Sequence, residues 1–206
     1  MLRSIARVFA APVLSVGLLA GAAVAAPTAF AAPTAFAAPT AVIVTDSGGS
    51  LVHIFPISRV NQIQAEGITV SAVAPATAST DTSNQTDNIT FPVVGGNGNV
   101  HSMSGSVDVG GAFIARTSAG RQLTIGNLQL NLNSGQIVGT PTGTSTPIAL
   151  ENTRGVTTTA AAKSQTYNAS ELAVTAASAA YFDKALNTTA FAAGQNNGSL
   201  KVTWTI

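Results

Sequence analysis

The sequence predicts an all-β fold: an antiparallel β-sandwich or flattened barrel with one or two short helices. Three observations lead there. Apolar and polar residues alternate in short blocks along the chain, which is the period of a half-buried strand. Turn signals built from Gly, Asn and Pro recur about every ten residues, a spacing that suits eight to eleven short strands. Helical patterning of crossover length is missing between most of these blocks, which excludes long parallel βαβ units.

The chain opens with a segment of another kind. Arg3 and Arg7 precede an apolar run from Val8 to about Ala26, rich in Ala and Gly and ended by Pro27. Small-x-small sites follow at Ala23-Val24-Ala25, Ala29-Phe30-Ala31 and Ala35-Phe36-Ala37. Positive charge, then an apolar core, then A-x-A is the layout of a secretory signal. The expected organisation is therefore a signal peptide over 1–37 and one β-sandwich domain over 38–206. The sites at 29–31 and 35–37 belong to a tandem hexapeptide, A-P-T-A-F-A at 26–31 and 32–37. Three near-equivalent cleavage positions result. No second apolar run of spanning length exists, so no membrane span is expected after cleavage.

In the remainder, Ala41 to Thr45 reads as a strand, Gly48-Gly49 as a turn, and Leu51 to Phe55 as a second strand stopped by Pro56. Ile57, Val60 and Ile63 are three apart, predicting one or two helical turns closed by Gly67. Ile68, Val70 and Val73 resume a strand. Residues 75–88 lack periodicity and apolar mass and read as a mobile loop. Ile89 to Val94 is a strand, 95–99 a Gly/Asn turn or bulge, and Val107, Val109 and Phe113 share one face of the next strand.

Leu123 and Ile125 have one parity and Leu128, Leu130 and Leu132 the other, so Gly126-Asn127 is expected to be a β-bulge or a chain reversal. Ile137-Val138 and Ile148 to Leu150 are short strands, and 152–168 is weakly patterned. Leu172 and Val174 lead into an Ala-rich helix with Thr175 as its N-cap. Leu200, Val202, Trp204 and Ile206 alternate as a terminal strand.

Composition narrows the functions. Charged residues are 8% of the chain, against about 25% in an average globular protein. Without Arg3 and Arg7, seven scattered basic residues face eight acidic ones. That excludes nucleic acid, which requires a basic face, and electrostatic docking on membranes. The absence of cysteine excludes disulfides and thiolate metal sites. Sparse charge also leaves strand edges unguarded against self-association.

No catalytic constellation emerges. The G-x-S-x-G elbow is absent, and no carboxylate pair has a glycosidase context. His53 and His101 are isolated, without H-x-H or H-x-x-x-H spacing. They and Met103 are candidate contacts for a cofactor, with the alternative that the histidines are structural and Met103 fills the core. The stretch from Asp81 to Asn88 is oxygen-rich but lacks the mid-loop Gly and terminal Glu of a Ca²⁺ loop, and reads as solvated. Of the aromatics, Trp204 is expected in the core, Tyr181 packed on the late helix, and Tyr167 the freest. Both tyrosines join the candidate list.

Taken in order, G-I-T-V-S-A-V-A-P-A (67–76), I-T-F-P-V-V-G-G (89–96), S-G-S-V-D-V-G-G-A-F (104–113), L-T-I-G-N-L-Q-L-N-L-N-S-G-Q-I-V-G (123–139) and the stretch 172–194 carry a resemblance over most of the mature chain. The pattern resembles a group of secreted bacterial proteins, mostly actinobacterial, and more distantly the HtaA-type haem-binding domain of corynebacterial haem uptake. That resemblance implies a secreted β-sandwich and brings haem into consideration. In the HtaA-type domain a Tyr in an N-terminal aromatic segment holds haem, supported by a His just after the S-G-x-V strand. Here the matching stretch S-L-V-H-I-F-P-I (50–57) has no Tyr, and D-V-G-G-A-F follows Ser106-Val107 without a His. No ligand residue is carried over.

The leading expectation is a non-catalytic, secreted, envelope-associated structural or binding protein, whose partner is an envelope component or a small ligand. Its first alternative is a carrier of haem or a small apolar ligand, with His101, Met103 or a Tyr as contact. The last alternative is an extracellular hydrolase.

Overall fold

The computed structural model describes residues 46–206. The expected export signal, its expected cleavage sites and the expected strand at 41–45 lie outside these residues. Ten strands and two helices follow in the order β1 (Ser47–Pro56), α1 (Ile57–Ala65), β2 (Ile68–Val73), β3 (Thr77–Asp81), β4 (Thr86–Gly96), β5 (Ser106–Thr117), β6 (Gln122–Asn131), β7 (Gln136–Pro141), β8 (Ile148–Ala161), β9 (Ser164–Val174), α2 (Ala176–Leu186) and β10 (Ser199–Thr205). Neither helix is long and apolar enough to cross a membrane.

Every strand pairing is antiparallel. The order β5-β6-β7-β8-β9-β10-β1-β4 closes on itself where Val93, Gly95 and Gly96 pair with Val109, Asp108 and Val107. The fold is thus an eight-stranded closed barrel, the second of the two expected forms. Beyond Val93 and Val109 the closing strands part. There β5 takes β2 as its neighbour and β4 takes β3. The parting point is Gly110-Gly111. Gly111 has φ +94°, and a Cβ there would lie 2.6 Å from the backbone N of Ala76, so the β2–β3 turn packs directly on the glycine.

Inward positions alternate as the sequence predicts. Leu51, Val107, Ile125, Leu130, Leu172, Leu200, Val202 and Trp204 are buried, each contributing roughly 1.5–3 kcal/mol by leaving water. Gly126-Asn127 is a β-bulge. The register slips on both flanks of β6, Asn127 adopts φ 48°, and Leu123, Ile125, Leu128 and Leu130 all stay inward across the change of parity. Gly139 lies beside this bulge. A Cβ there would meet Ile125, Leu128 and Leu150 at 2.6 to 2.9 Å.

Several readings are corrected. Residues 75–88 are not a mobile loop: they form β3, the start of β4 and the turn between them. Asp81 accepts hydrogen bonds from the N–H groups of Ser83 and Asn84 and from the Asn84 amide, and Thr80 donates to Asp87. The segment escaped detection because β3 is exposed on both faces and has no apolar alternation. Residues 152–168, weakly patterned in the sequence, form paired halves of β8 and β9. Gly48-Gly49 is a bulge within β1, not a turn between strands. Ile206 lies past the end of β10 and is exposed.

The helices form where expected. Gly67, at φ 71°, closes α1 by donating to Gln64 O. Thr175 caps α2: its Oγ1 accepts from Ser178 N at 3.0 Å and donates to Ala149 O at 2.6 Å. Strands β1 and β9 are each antiparallel to β10, so they run the same way. The helices that follow them therefore cap the same end of the barrel. The β4–β5 turn, with His101 and Met103, lies at the opposite end.

Candidate functional site

The capped end holds an apolar cavity of about 60 Å³. Strand residues Leu51, Phe91, Phe113 and Leu128 form its walls, and α2 and its following segment add Phe182 and Phe191. The Phe113 and Phe182 rings lie 6.3 Å apart, and Phe182 and Phe191 5.1 Å apart, at tilted angles favourable to aromatic pairs.

One wall is polar. His53 enters from β1, Glu151 from β8 and Asn197 from the segment before β10. The His53 ring stacks on Phe55 at 3.8 Å between centroids. Its Nε2 lies 3.3 Å from Asn197 O and 3.8 Å from Glu151 Oε1. The side-chain amide of Asn197 donates to Glu151 Oε1 and, through its Oδ1, accepts from Arg59 Nε at 3.2 Å. Arg59 comes from α1. It also donates to Gln62 and Gln195, both at 3.0 Å, and its guanidinium carbon lies 5.7 Å from the centroid of the Phe191 ring.

Arg59 and Glu151 are 5% and 6% exposed. Burial pulls the Arg59 pKa below its ordinary value, and the Glu151 carboxylate acts in the opposite direction. A guanidinium stays charged in either case, so a buried cation and a carboxylate are bridged by one amide. Such a network is stable only when its members are satisfied, and here α1, β8 and the 187–198 segment each supply part of it.

A second gap, of about 350 Å³, adjoins this cavity between the diverging β2 and β3. It shares Phe55, Ile63, Val70 and Ile89 with the first and is bordered by Val60 and Gln64 of α1. Asn88 lines it, but its Oδ1 is buried away from solvent, without a partner among the described residues.

The candidates named from the sequence scatter. His53 lines the cavity. His101 is exposed in the β4–β5 turn, where its N–H donates to Asn99 Oδ1 at 2.9 Å. Met103 does not fill the core: it is exposed in the same turn at φ 48°. Tyr167 is not free. It is fully buried in β9, its OH 2.6 Å from Thr153 Oγ1, and burial raises its pKa while the Thr153 hydrogen bond opposes the shift. Tyr181 is half-buried on α2, packed against the core. Arg59, Glu151 and Asn197 were missed, because 46 to 138 residues separate the members that bond. One signal was present: Glu151 directly follows the apolar strand residues Ile148 to Leu150.

No grouping of three or more His, Asp or Glu residues with metal-binding geometry occurs among the described residues. No protein-family model matches the sequence, and no curated protein matches it. Solved structures do share the fold. The C-terminal domain of HtaA from Corynebacterium glutamicum is 14% identical and superimposes with a TM-score of 0.53, over 77% of this chain and 99% of that one. A domain-swapped dimer of a His-to-Ala variant of that domain is also 14% identical, with a TM-score of 0.48 over 71% and 88% of the two chains. The chain is thus distantly similar to the HtaA-type domain, and the first match bears out the β-barrel fold.

Proposed function

We propose that this protein is an exported, non-catalytic carrier of a small apolar ligand, taken up at the helix-capped end of the barrel and acting in the cell envelope or outside it. One observation carries the reading: an aromatic-lined cavity with a single polar wall, continuous in its lining with the gap between β2 and β3. Binding sites for small molecules have this form, mostly apolar with a few placed polar groups. The apolar body of the ligand lies among Phe55, Phe113 and Phe182. A hydrogen-bonding group meets His53 and Asn197. The leader, with Arg3 and Arg7 ahead of an Ala-rich apolar run and A-x-A sites, supports export.

Haem is the second reading, favoured by the resemblance to the HtaA-type haem-binding domain and by His53 on the cavity wall. The residues do not fit haem as they stand. A macrocycle would have to enter the adjoining gap of about 350 Å³ as well as the cavity of about 60 Å³, and among the described residues no His, Tyr or Met borders that gap. His53 Nε2 is turned toward Asn197 and Glu151, and no tyrosine lines the cavity.

The test is titration of the mature protein with N-phenyl-1-naphthylamine and, separately, with haemin. Saturable one-to-one fluorescence enhancement is expected with the naphthylamine, weakened about tenfold or more, or ~1.4 kcal/mol, by Phe113→Asp. A saturable Soret shift lost in His53→Ala would select the haem reading instead. Flat titrations with both would overturn the carrier reading.

A further inference from the structure

The described part of β8 has two unlike halves. Residues 148–152 pair with β7 on one side, and from Glu151 onward the strand also pairs with β9 on the other. The last backbone bond on the β7 side is Thr153 N–H to Gly135 O. From Arg154 to Ala161 the strand pairs with β9 alone among the described residues, and every residue from Arg154 to Lys163 is exposed. The β8–β9 ribbon therefore extends past the β6–β7 hairpin with one backbone edge open.

We propose that this edge is a docking surface for a second copy of this chain, joined antiparallel about a twofold axis near Thr158. An open row of N–H and C=O groups takes up an extended strand. Proteins that avoid such pairing guard the edge with charge, proline or shortness. The stretch Val156-Thr157-Thr158-Thr159-Ala160-Ala161 has none of these: it is β-branched or small, uncharged and without proline. The one charge at its base is already neutralised, because Arg154 donates to Glu171 at 2.8 Å.

Self-complementarity commits the occupant. Pairing about Thr158 sets Val156 against Ala160 of the second copy, and Thr157 against Thr159. Arg154 then faces Ala162, and Lys163 faces Thr153, so no like charges meet. A strongly charged partner strand would find nothing to pair with over the same six residues. The contact is isologous and closes at two copies. The other open edges, on β2 and β3, are shorter and face one another across the gap beside α1. This surface lies toward the end of the barrel away from the ligand cavity and does not depend on it.

The experiment is sedimentation velocity of the mature protein over a concentration series up to about 1 mM, the weak end of specific association. The wild type is expected to pass from monomer to dimer. Thr157→Lys with Thr159→Lys, both on the solvent face, should remain monomeric with an unchanged circular dichroism spectrum and thermal midpoint. Thr157→Glu with Thr159→Glu should behave likewise, and an equimolar mixture of the two variants should dimerise. A wild type monomeric throughout would overturn the proposal, as would a dimer that persists in the Lys variant. So would a dimer insensitive to the Lys pair but lost on deletion of residues 38–45, which would assign self-association to that segment.

Discussion

Individual residues in this barrel matter most where a charge is enclosed. Asp46 is 2% exposed just before β1. Its Oδ2 accepts from Gly98 N at 2.7 Å, and Trp204 Nε1 lies near enough to favour the charged carboxylate as well. Burial raises the carboxyl pKa above its ordinary value, and the Gly98 hydrogen bond is the main opposing influence. A carboxyl with a raised folded pKa retains its proton longer when folded than when unfolded. Its contribution is therefore fully favourable below the unfolded pKa, and stability declines as pH rises from there through the folded pKa. Asp46→Asn keeps an acceptor for Gly98 and removes the titration. The thermal midpoint of this variant should exceed that of the wild type at neutral pH and converge with it in acid. A midpoint that falls equally at all pH values would show that Asp46 acts through its hydrogen bonding and shape, and not through its titration.

At the scale of elements, the two helices determine what the barrel end can do. Thr175 joins α2 to the sheet through two side-chain hydrogen bonds, one to the first helical turn and one to Ala149 O of β8, two residues before Glu151. Replacing it with Ala removes the cap and leaves Ala149 O without that donor. A loss of about 1–2 kcal/mol in urea unfolding is expected, together with weaker naphthylamine binding, because Phe182 rides on the same helix. Unchanged affinity in a destabilised variant would separate the helix from the site. The cap and the helix were legible from Thr175 and the alanines after it. The role of α1 was not: its apolar spacing gave a helix, but nothing local marked Arg59 as the buried cation that joins this helix to Asn197 and Gln195.

For the molecule as a whole, closure of the ring depends on one backbone passage. Gly111 adopts φ +94° and has the β2–β3 turn against it. Gly111→Ala combines a left-handed φ with a clash against backbone, and should destabilise the fold by more than the ~1–3 kcal/mol typical of such strain. Unfolding that stays cooperative with a lower midpoint is the expected result, and a neutral substitution would show that β4 and β5 can part elsewhere. Sequence patterning could not distinguish sandwich from barrel, because inward and outward positions alternate identically in both. The distinction lies in whether β4 meets β5, a contact made by three residue pairs.

The sequence by itself determined the strand-dominated class, the parity switch at Gly126-Asn127, the two helices with Gly67 and Thr175 at their ends, and the inward alternation of Leu200, Val202 and Trp204. All of these follow from periods and caps within a few residues of chain. Only the tertiary structure decided that the sheet closes, that β3 and the outer half of β8 are strands despite having no buried face, and that His53, Arg59, Glu151 and Asn197 form one network. Those features arise from pairing and burial between distant segments, and neither leaves a period in the sequence.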